Sequence, residues 1–313
     1  MIEVRDLYKT YGGPLNAAVD HISFTLEKGK IYGFLGPNGA GKSTTMNIMT
    51  GYIAATSGKV LVGGFDVSEK PIEARKHIGY LPEIPPLYGE LYVREYLEFA
   101  ASLKGFKKGE IKNETRRLME RLDILSVSEK LISNLSKGYR QRVGIAQALM
   151  GNPDIVILDE PSVGLDPEQI ISMRELILEL KKDHIVILSS HILSEISAVC
   201  DHILILSSGR LVADDDKEAL EKRLNENSRI KIVLDGDEKV VKGILSGIAG
   251  VKEVQRIKNL SPSEGKSGFM LSAEDSIELK KQIFYRLSAN NIPILEITAE
   301  KKTLEDIYLE LQQ

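Results

Sequence analysis

The residues with the plainest chemical meaning are Gly36, Pro37, Asn38, Gly39, Ala40, Gly41, Lys42, Ser43 and Thr44. They satisfy the pattern GxxxxGK[ST] and directly follow the apolar stretch Ile31 to Leu35. Glycines let the backbone approach a phosphate chain, and the N-terminus of a following helix presents N–H groups and a partial positive charge. Lys42 neutralises β- and γ-phosphate oxygens, and Ser43 offers a hydroxyl to Mg2+. The loop predicts a nucleotide site built between a strand and a helix.

A second signal lies downstream, where Ile155-Val-Ile-Leu158 runs into Asp159-Glu160-Pro161. An apolar strand ending in two carboxylates suits a site that must hold a cation and orient water, with Asp159 towards the metal and Glu160 towards the nucleophile. Taken alone, the pair is equally an ordinary strand end at a turn. The phosphate loop upstream gives it a chemical reading.

The elements that must position these residues are α/β in character. Residues 1 to about 217 alternate Val- and Ile-rich strands with helices, bounded by Gly, Pro and Asp, which predicts an α/β domain with a largely parallel sheet. Between about 86 and 150 the spacing turns helical, through Tyr96, Leu97, Phe99, Ala100, Leu103, Leu118, Leu122 and Leu125. A helical subdomain is therefore expected as an insertion. A charged linker at 218–226 precedes a second domain, 227–313. There the pattern predicts a strand (Ile230 to Leu234), a helix (Glu238 to Ile248) and two strands (Val251 to Ile257, Gly268 to Ser272). A helix (Asp275 to Ala289), a strand (Ile292 to Ile297) and a short closing helix (Leu304 to Leu311) follow. That order is the βαββαβ plan of a small α+β, ferredoxin-like domain.

Composition removes several function classes. A chain with 42% hydrophobic and 27% charged residues is not a disordered one. With 41 Lys plus Arg against 45 Asp plus Glu, the net charge of -4 argues against a broad nucleic-acid footprint. Cys200 has no partner for an internal disulfide, and its apolar surroundings predict a buried small hydrophobe. The N-terminus lacks a secretory pattern, and the apolar runs fall well short of the about 20 residues a membrane span needs. Work at a membrane would require partners that cross it.

Several motifs stand in a fixed order: GPNGAGKST (Gly36 to Thr44), YLPE (Tyr80 to Glu83), LSKGYRQR (Leu135 to Arg142), ILDEP (Ile157 to Pro161), SVGLDP (Ser162 to Pro167) and LSSH (Leu188 to His191). On these the chain resembles the ATP-binding subunits of ABC transporters throughout residues 1 to about 217. It is most similar to the single-domain ATPases of type 2 exporters, of the drug-efflux or gliding-motility kind, which also carry a C-terminal extension. The resemblance implies a P-loop NTPase fold with the inserted helical subdomain, ATP and Mg2+ as ligands, and ATP hydrolysis coupled to transport.

Residue by residue, the resemblance implies that Tyr11 stacks on adenine, that Lys42 and Ser43 hold phosphates and Mg2+, and that Asp159 supports the metal. Glu160 is then the general base, and His191 contacts the γ-phosphate. Ser136 and Gly138 reach across a dimer interface to the nucleotide of the other subunit, and Asp166 couples the two sites. The implied partners are a second copy or a paralogous ATPase subunit, and separate membrane-spanning permease subunits that hold the chain at the cytoplasmic face of the cell membrane. No nucleic acid is expected. On the residues alone, Tyr11 serves equally as packed core, His191 as a strand-end histidine, and Ser136 as the N-cap of its own helix.

Two motifs depart from the family pattern. Lys137 and Tyr139 replace a Gly and the Gln of LSGGQ, and Lys137 places a cation at a helix N-terminus, against the dipole. Glu83 stands where most members carry a Gln that senses Mg2+ and water and faces the membrane subunit. It is expected near the metal as a coupling residue. The rival function is a soluble ABC ATPase acting on ribosomes or DNA, whose members usually carry two ATP-binding units or a long coiled coil. This sequence shows neither.

Overall fold

Residues 1–13, 16–220, 229–257, 266–273 and 277–300 are described by the structure, a computed structural model. The chain divides into two compact units, Met1–Lys217 and Glu218–Gln313.

The first unit opens with β1 (Ile2–Thr10), β2 (Ala17–Leu26) and β3 (Ile31–Leu35), then α1 (Lys42–Met49), β4 (Ser57–Val62), β5 (Phe65–Asp66), α2 (Pro71–Lys76) and β6 (Ile78–Leu81). Helices α3 (Val93–Leu103), α4 (Lys108–Arg121) and α5 (Lys137–Leu149) follow. The unit closes with β7 (Ile155–Asp159), α6 (Pro167–Leu180), β8 (Ile185–Ser190), α7 (Leu193–Val199), β9 (His202–Ser207) and β10 (Arg210–Asp216).

Six strands form one sheet in the order β10-β9-β3-β8-β7-β6, parallel except where β10 pairs antiparallel with β9. Every residue of β3, β7 and β8 is buried, as continuous apolar strands covered on both faces require. On one side Phe34, Ile157, Ile187 and Leu206 share a core with Met46 and Met49 of α1 and with Ile2, Val4 and Phe24. On the other, α7 comes so close to β3 that a Cβ at Gly33 would stand 2.6 Å from Ile196 Cγ2. Cys200 lies in this contact, 5% exposed, and burial pushes its thiol pKa up, so it behaves as the expected hydrophobe.

A second sheet was not foreseen. Strands β2-β1-β4-β5 form a four-stranded antiparallel sheet, so the first thirty residues do not belong to the alternating pattern that begins at β3. Its two longest strands, β1 and β2, alternate only in part, with register shifts between them, and this blurs the period-2 signal.

The inserted helices match the helical spacing, and not all of the spaced residues are buried. Tyr96, Leu97, Ala100, Leu118 and Leu122 are buried, but Phe99, Leu103 and Leu125 are exposed. Phe99 meets Tyr88 at a ring separation of 5.9 Å on the surface instead of entering the core. Helices α3 and α4 begin with reach-back contacts, Glu95 Oε2 accepting from the Tyr92 N–H and Glu110 Oε2 from the Lys107 N–H.

At the far edge of the sheet, the His202 ring is gripped by Asp214 at Nε2 (2.6 Å) and Asp216 at Nδ1 (2.8 Å), and Asp216 also pairs with Lys30 (2.6 Å). The hydrogen bonds to Asp214 and Asp216 raise the His202 pKa against the opposing effect of burial. A raised folded pKa contributes stability that is fully present below the unfolded value of 6.5 and is lost as pH rises through the folded value. The melting temperature of the protein should therefore fall more steeply than that of His202→Gln as pH goes from about 6 to about 9. Parallel melting curves for the two would contradict this.

The second unit contains β11 (Arg229–Asp235), a helix Glu238–Ser246, β12 (Val251–Arg256), β13 (Lys266–Ala273), a helix Ile277–Ser288 and β14 (Ile294–Glu300). Its sheet is antiparallel in the order β12-β13-β11-β14. Val241, Leu245, Leu279, Ile283 and Leu287 of the helices pack on Ile230, Ile232, Phe269 and Leu271 of the strands. Asp237 caps the first helix, its Oδ1 accepting from the N–H groups of Lys239 and Val240. The expected helix Leu304 to Leu311 and most of the expected linker lie outside the described residues.

Candidate functional site

The phosphate loop occupies the centre of the six-stranded sheet, between the C-terminal end of β3 and the start of α1. This is where open parallel sheets bind ligands. Gly39 and Gly41 have φ of +83° and +102°, and a Cβ on Gly41 would fall 2.4 Å from the Ala18 carbonyl oxygen. Only glycine satisfies both the turn and that approach. Lys42 is 6% exposed, and its Nζ donates to the carbonyl oxygens of Gly36 (2.6 Å) and Pro37 (3.3 Å). Burial lowers the Lys42 pKa, countered by the negative charges of Glu160, Asp159 and Glu83.

A cavity of about 410 Å3 opens over the loop, bordered by Lys42, Ser43, Thr44, Glu83, Glu160 and His191 together with Pro37, Asn38, Gly39 and Gly41. The structure thus brings Lys42, Glu160 and His191 together, and Glu83 with them. Glu160 has φ +49°, a left-handed backbone in a non-glycine residue. Across this turn Asp159 and Glu160 border neighbouring cavities, Glu160 the one over the loop and Asp159 a larger one that Ser43 and Glu83 also border. Glu160 is 8% exposed, and its carboxyl meets His191 Nδ1 at 3.0 and 3.1 Å. Its own N–H donates to Ser189 Oγ (3.0 Å), and the Ser189 hydroxyl donates to Asp159 Oδ1.

The residues present fit a nucleoside triphosphate with Mg2+. Phosphates need backbone N–H groups, a cation and room for close approach, and the glycines, Lys42 and the start of α1 provide these. Mg2+ prefers hard oxygen ligands shared with phosphates. Ser43, exposed at the first turn of α1, borders one neighbouring cavity together with Asp159 and Glu83.

Other expected site residues are elsewhere. Ser136, Gly138 and Asp166 border a separate cavity of about 290 Å3 with Tyr139 and Gln169. Ser136 is the N-cap of α5, its Oγ accepting from the Tyr139 N–H at 3.4 Å, and Asp166 caps α6 by accepting from the Gln169 N–H at 2.9 Å. Lys137 lies over Gly164, where a Cβ would come within 2.4 Å of its Nζ. Tyr11 is 65% exposed, with Lys9 Nζ 5.1 Å from its ring centre, and is not packed core.

Sequence reasoning missed four polar residues behind the cavity: Ser162, Ser189, Ser190 and Glu195, all buried and mutually bonded or bonded to Asp159 and Glu160. The available signal was the pair Ser189-Ser190 ending the apolar strand β8, since two hydroxyls buried in succession need partners on both faces.

Comparison with known proteins agrees with this geometry. Residues 19–163 match the family model described as ABC transporter. The chain is 33% identical to the bacitracin transport ATP-binding protein of Bacillus licheniformis, over 99% of this chain and 97% of that protein. It is 29% identical to the linearmycin resistance ATP-binding protein of Bacillus subtilis, over 99% of this chain and 98% of that one. Among solved structures, an ATP-binding subunit of an ABC transporter aligns at 31% identity with a TM-score of 0.64, covering 71% of this chain and 92% of its own.

Proposed function

Since the chain belongs to the ABC transporter family, as one of its ATP-binding subunits, we propose that it works as half of a two-chain ATP sandwich that drives export through separate membrane-spanning subunits. It is an ATP-hydrolysing subunit of a transporter. The second half is another copy or a paralogous ATPase chain. One observation supports the sandwich: Lys42, Glu160 and His191 border one cavity, whereas Ser136, Gly138 and Asp166 border another. A single chain therefore offers two unlike half-sites, and a two-fold partner completes both.

In this reading the loop amides and Lys42 hold the phosphates, and Tyr11, exposed just beyond the end of β1, stacks on adenine. Ser43 and Asp159, with Glu83 beside them, would hold Mg2+, which would supply positive charge to offset that of the phosphates. Glu160 takes a proton from the attacking water as the water oxygen bonds to the γ-phosphorus and the bond to the β-phosphate oxygen breaks. His191 steadies the Glu160 carboxyl through Nδ1, which leaves Nε2 for a γ-phosphate oxygen. Ser136 and Gly138 of one chain face the γ-phosphate held by the other.

Among the described residues no helix is long and apolar enough to cross a membrane. Attachment is assigned to the surface beside Glu83, where a cavity of about 890 Å3 is bordered by Tyr52 and Ile84, 79% and 82% exposed, and by Arg75 and Lys104. Exposed apolar side chains rimmed by charge mark an interaction surface. In this reading, docking through that surface holds the chain at the cytoplasmic face of the cell membrane. The second unit is assigned the ferredoxin-like plan, as an accessory domain.

A mixing experiment tests the sandwich. Lys42→Ala spoils the loop half and Ser136→Arg the opposite half, so each variant alone should be inactive. Mixed equally, the heterodimer retains one intact site, and about a quarter of normal turnover should return. Absence of recovery would remove the shared site.

A further inference from the structure

Behind the phosphate cavity, Glu195 in the first turn of α7 is 8% exposed. Its Oε2 accepts from Ser162 Oγ (2.7 Å) and from Ser190 Oγ (3.0 Å). Ser190 is fully buried, immediately precedes His191, and its Oγ also accepts the Ile192 N–H at 3.0 Å. The backbone is thereby fixed on both sides of His191. Ser162 stands two residues beyond Glu160 and opens the segment that ends at Asp166. A carboxyl this deep persists only with hydrogen-bond partners. Here two hydroxyls, from segments distant in the chain, converge on one oxygen.

We propose that Glu195 is a positioning residue that locks the segment bearing His191 to the segment running from Glu160 to Asp166. Glu195 does not border the phosphate cavity, so it acts through the two serines. The last two residues of β8 divide the work, as alternation along a strand dictates. Ser189 faces Asp159 and Glu160, and Ser190 faces Glu195. Through this lock the γ-phosphate contact of one subunit and the loop facing the other subunit shift together. The role rests on the sandwich reading above.

The test uses the full chain and measures turnover, ATP affinity and melting temperature for Glu195→Leu, Glu195→Gln, Ser162→Ala, Ser190→Ala and the double serine variant. Leu fills the space without an acceptor, so turnover should fall about 10- to 100-fold with ATP affinity nearly unchanged. Gln keeps an acceptor oxygen and should restore most of it. Because either serine breaks the lock, the double variant should be no slower than the slower single variant. Should Glu195→Leu fail to fold, the serine cycle alone decides.

Normal turnover in Glu195→Leu would overturn the proposal, as would multiplicative effects of the serines. So would joint loss of turnover, affinity and melting temperature that Gln does not repair, since that marks a role in folding only. Glu160→Gln is assayed alongside. If it keeps turnover, the site reading fails and the lock falls with it. If it is inactive while every Glu195 and serine variant is fully active, only the lock falls.

Discussion

Glu160→Gln should lower ATP turnover about 10²- to 10⁴-fold and leave ATP bound. Glutamine keeps the size of the side chain and an acceptor oxygen for His191, but its amide cannot take a proton from water. The rest of the geometry survives, because the Glu160 backbone is held independently by Ser189 and its φ of +49° is set by the turn after β7. Binding and chemistry therefore separate at this one position. Phosphate release and nucleotide retention measured on the same sample check the split. A long-lived, ATP-containing dimer should accumulate and be visible by light scattering, whereas turnover near normal would take the role of base away from Glu160.

Lys42→Ala should have the opposite signature, with ATP affinity and turnover lost together and kcat/KM reduced by at least about 10²-fold. Lys42 is the only lysine or arginine among the described residues bordering the phosphate cavity, and Glu160, Asp159 and Glu83 all act on it electrostatically. Without it, incoming phosphates face those carboxylates with the ammonium charge that offsets them gone. Lys42→Arg is no rescue, since a planar fork does not fit where a compact ammonium sits within 2.6 Å of the Gly36 carbonyl oxygen. Equilibrium binding of a fluorescent ATP analogue, beside turnover, checks this. Retained affinity in Lys42→Ala would show that the loop amides suffice.

What the sequence revealed of this site follows from how local each interaction is. The loop from Gly36 to Thr44 was legible because its chemistry is contained in nine consecutive residues that bring their own strand and helix. Ser136 as a helix cap was legible for the same reason, its partner Tyr139 lying three residues on. Ser162, Ser190 and Glu195 were not, because their partnership exists only once β7, β8 and α7 have packed. The antiparallel sheet escaped notice because β1 pairs with β2 and β4 through register shifts that break a clean alternation. Phe99 and Leu103 lie in a helix as their spacing predicts, yet both are exposed, since helical spacing identifies a face but not how far the neighbouring helix covers it.

The strand that carries the phosphate loop has an awkward birth order. β3 is made early, yet its two neighbours in the sheet are β8 and β9, with Ile31 paired to Val186 and Tyr32 to His202. The contacts that hold the loop are thus among the most distant in the chain, and distant contacts form slowly. A nascent chain shorter than β8 exposes β3 with both edges unpaired, and one shorter than β9 still leaves one edge of this apolar strand open to foreign pairing. The loop acquires its support only after nearly the whole first unit has left the ribosome, so ATP competence arrives in a single late step and chain ends short of β9 yield no partial enzyme.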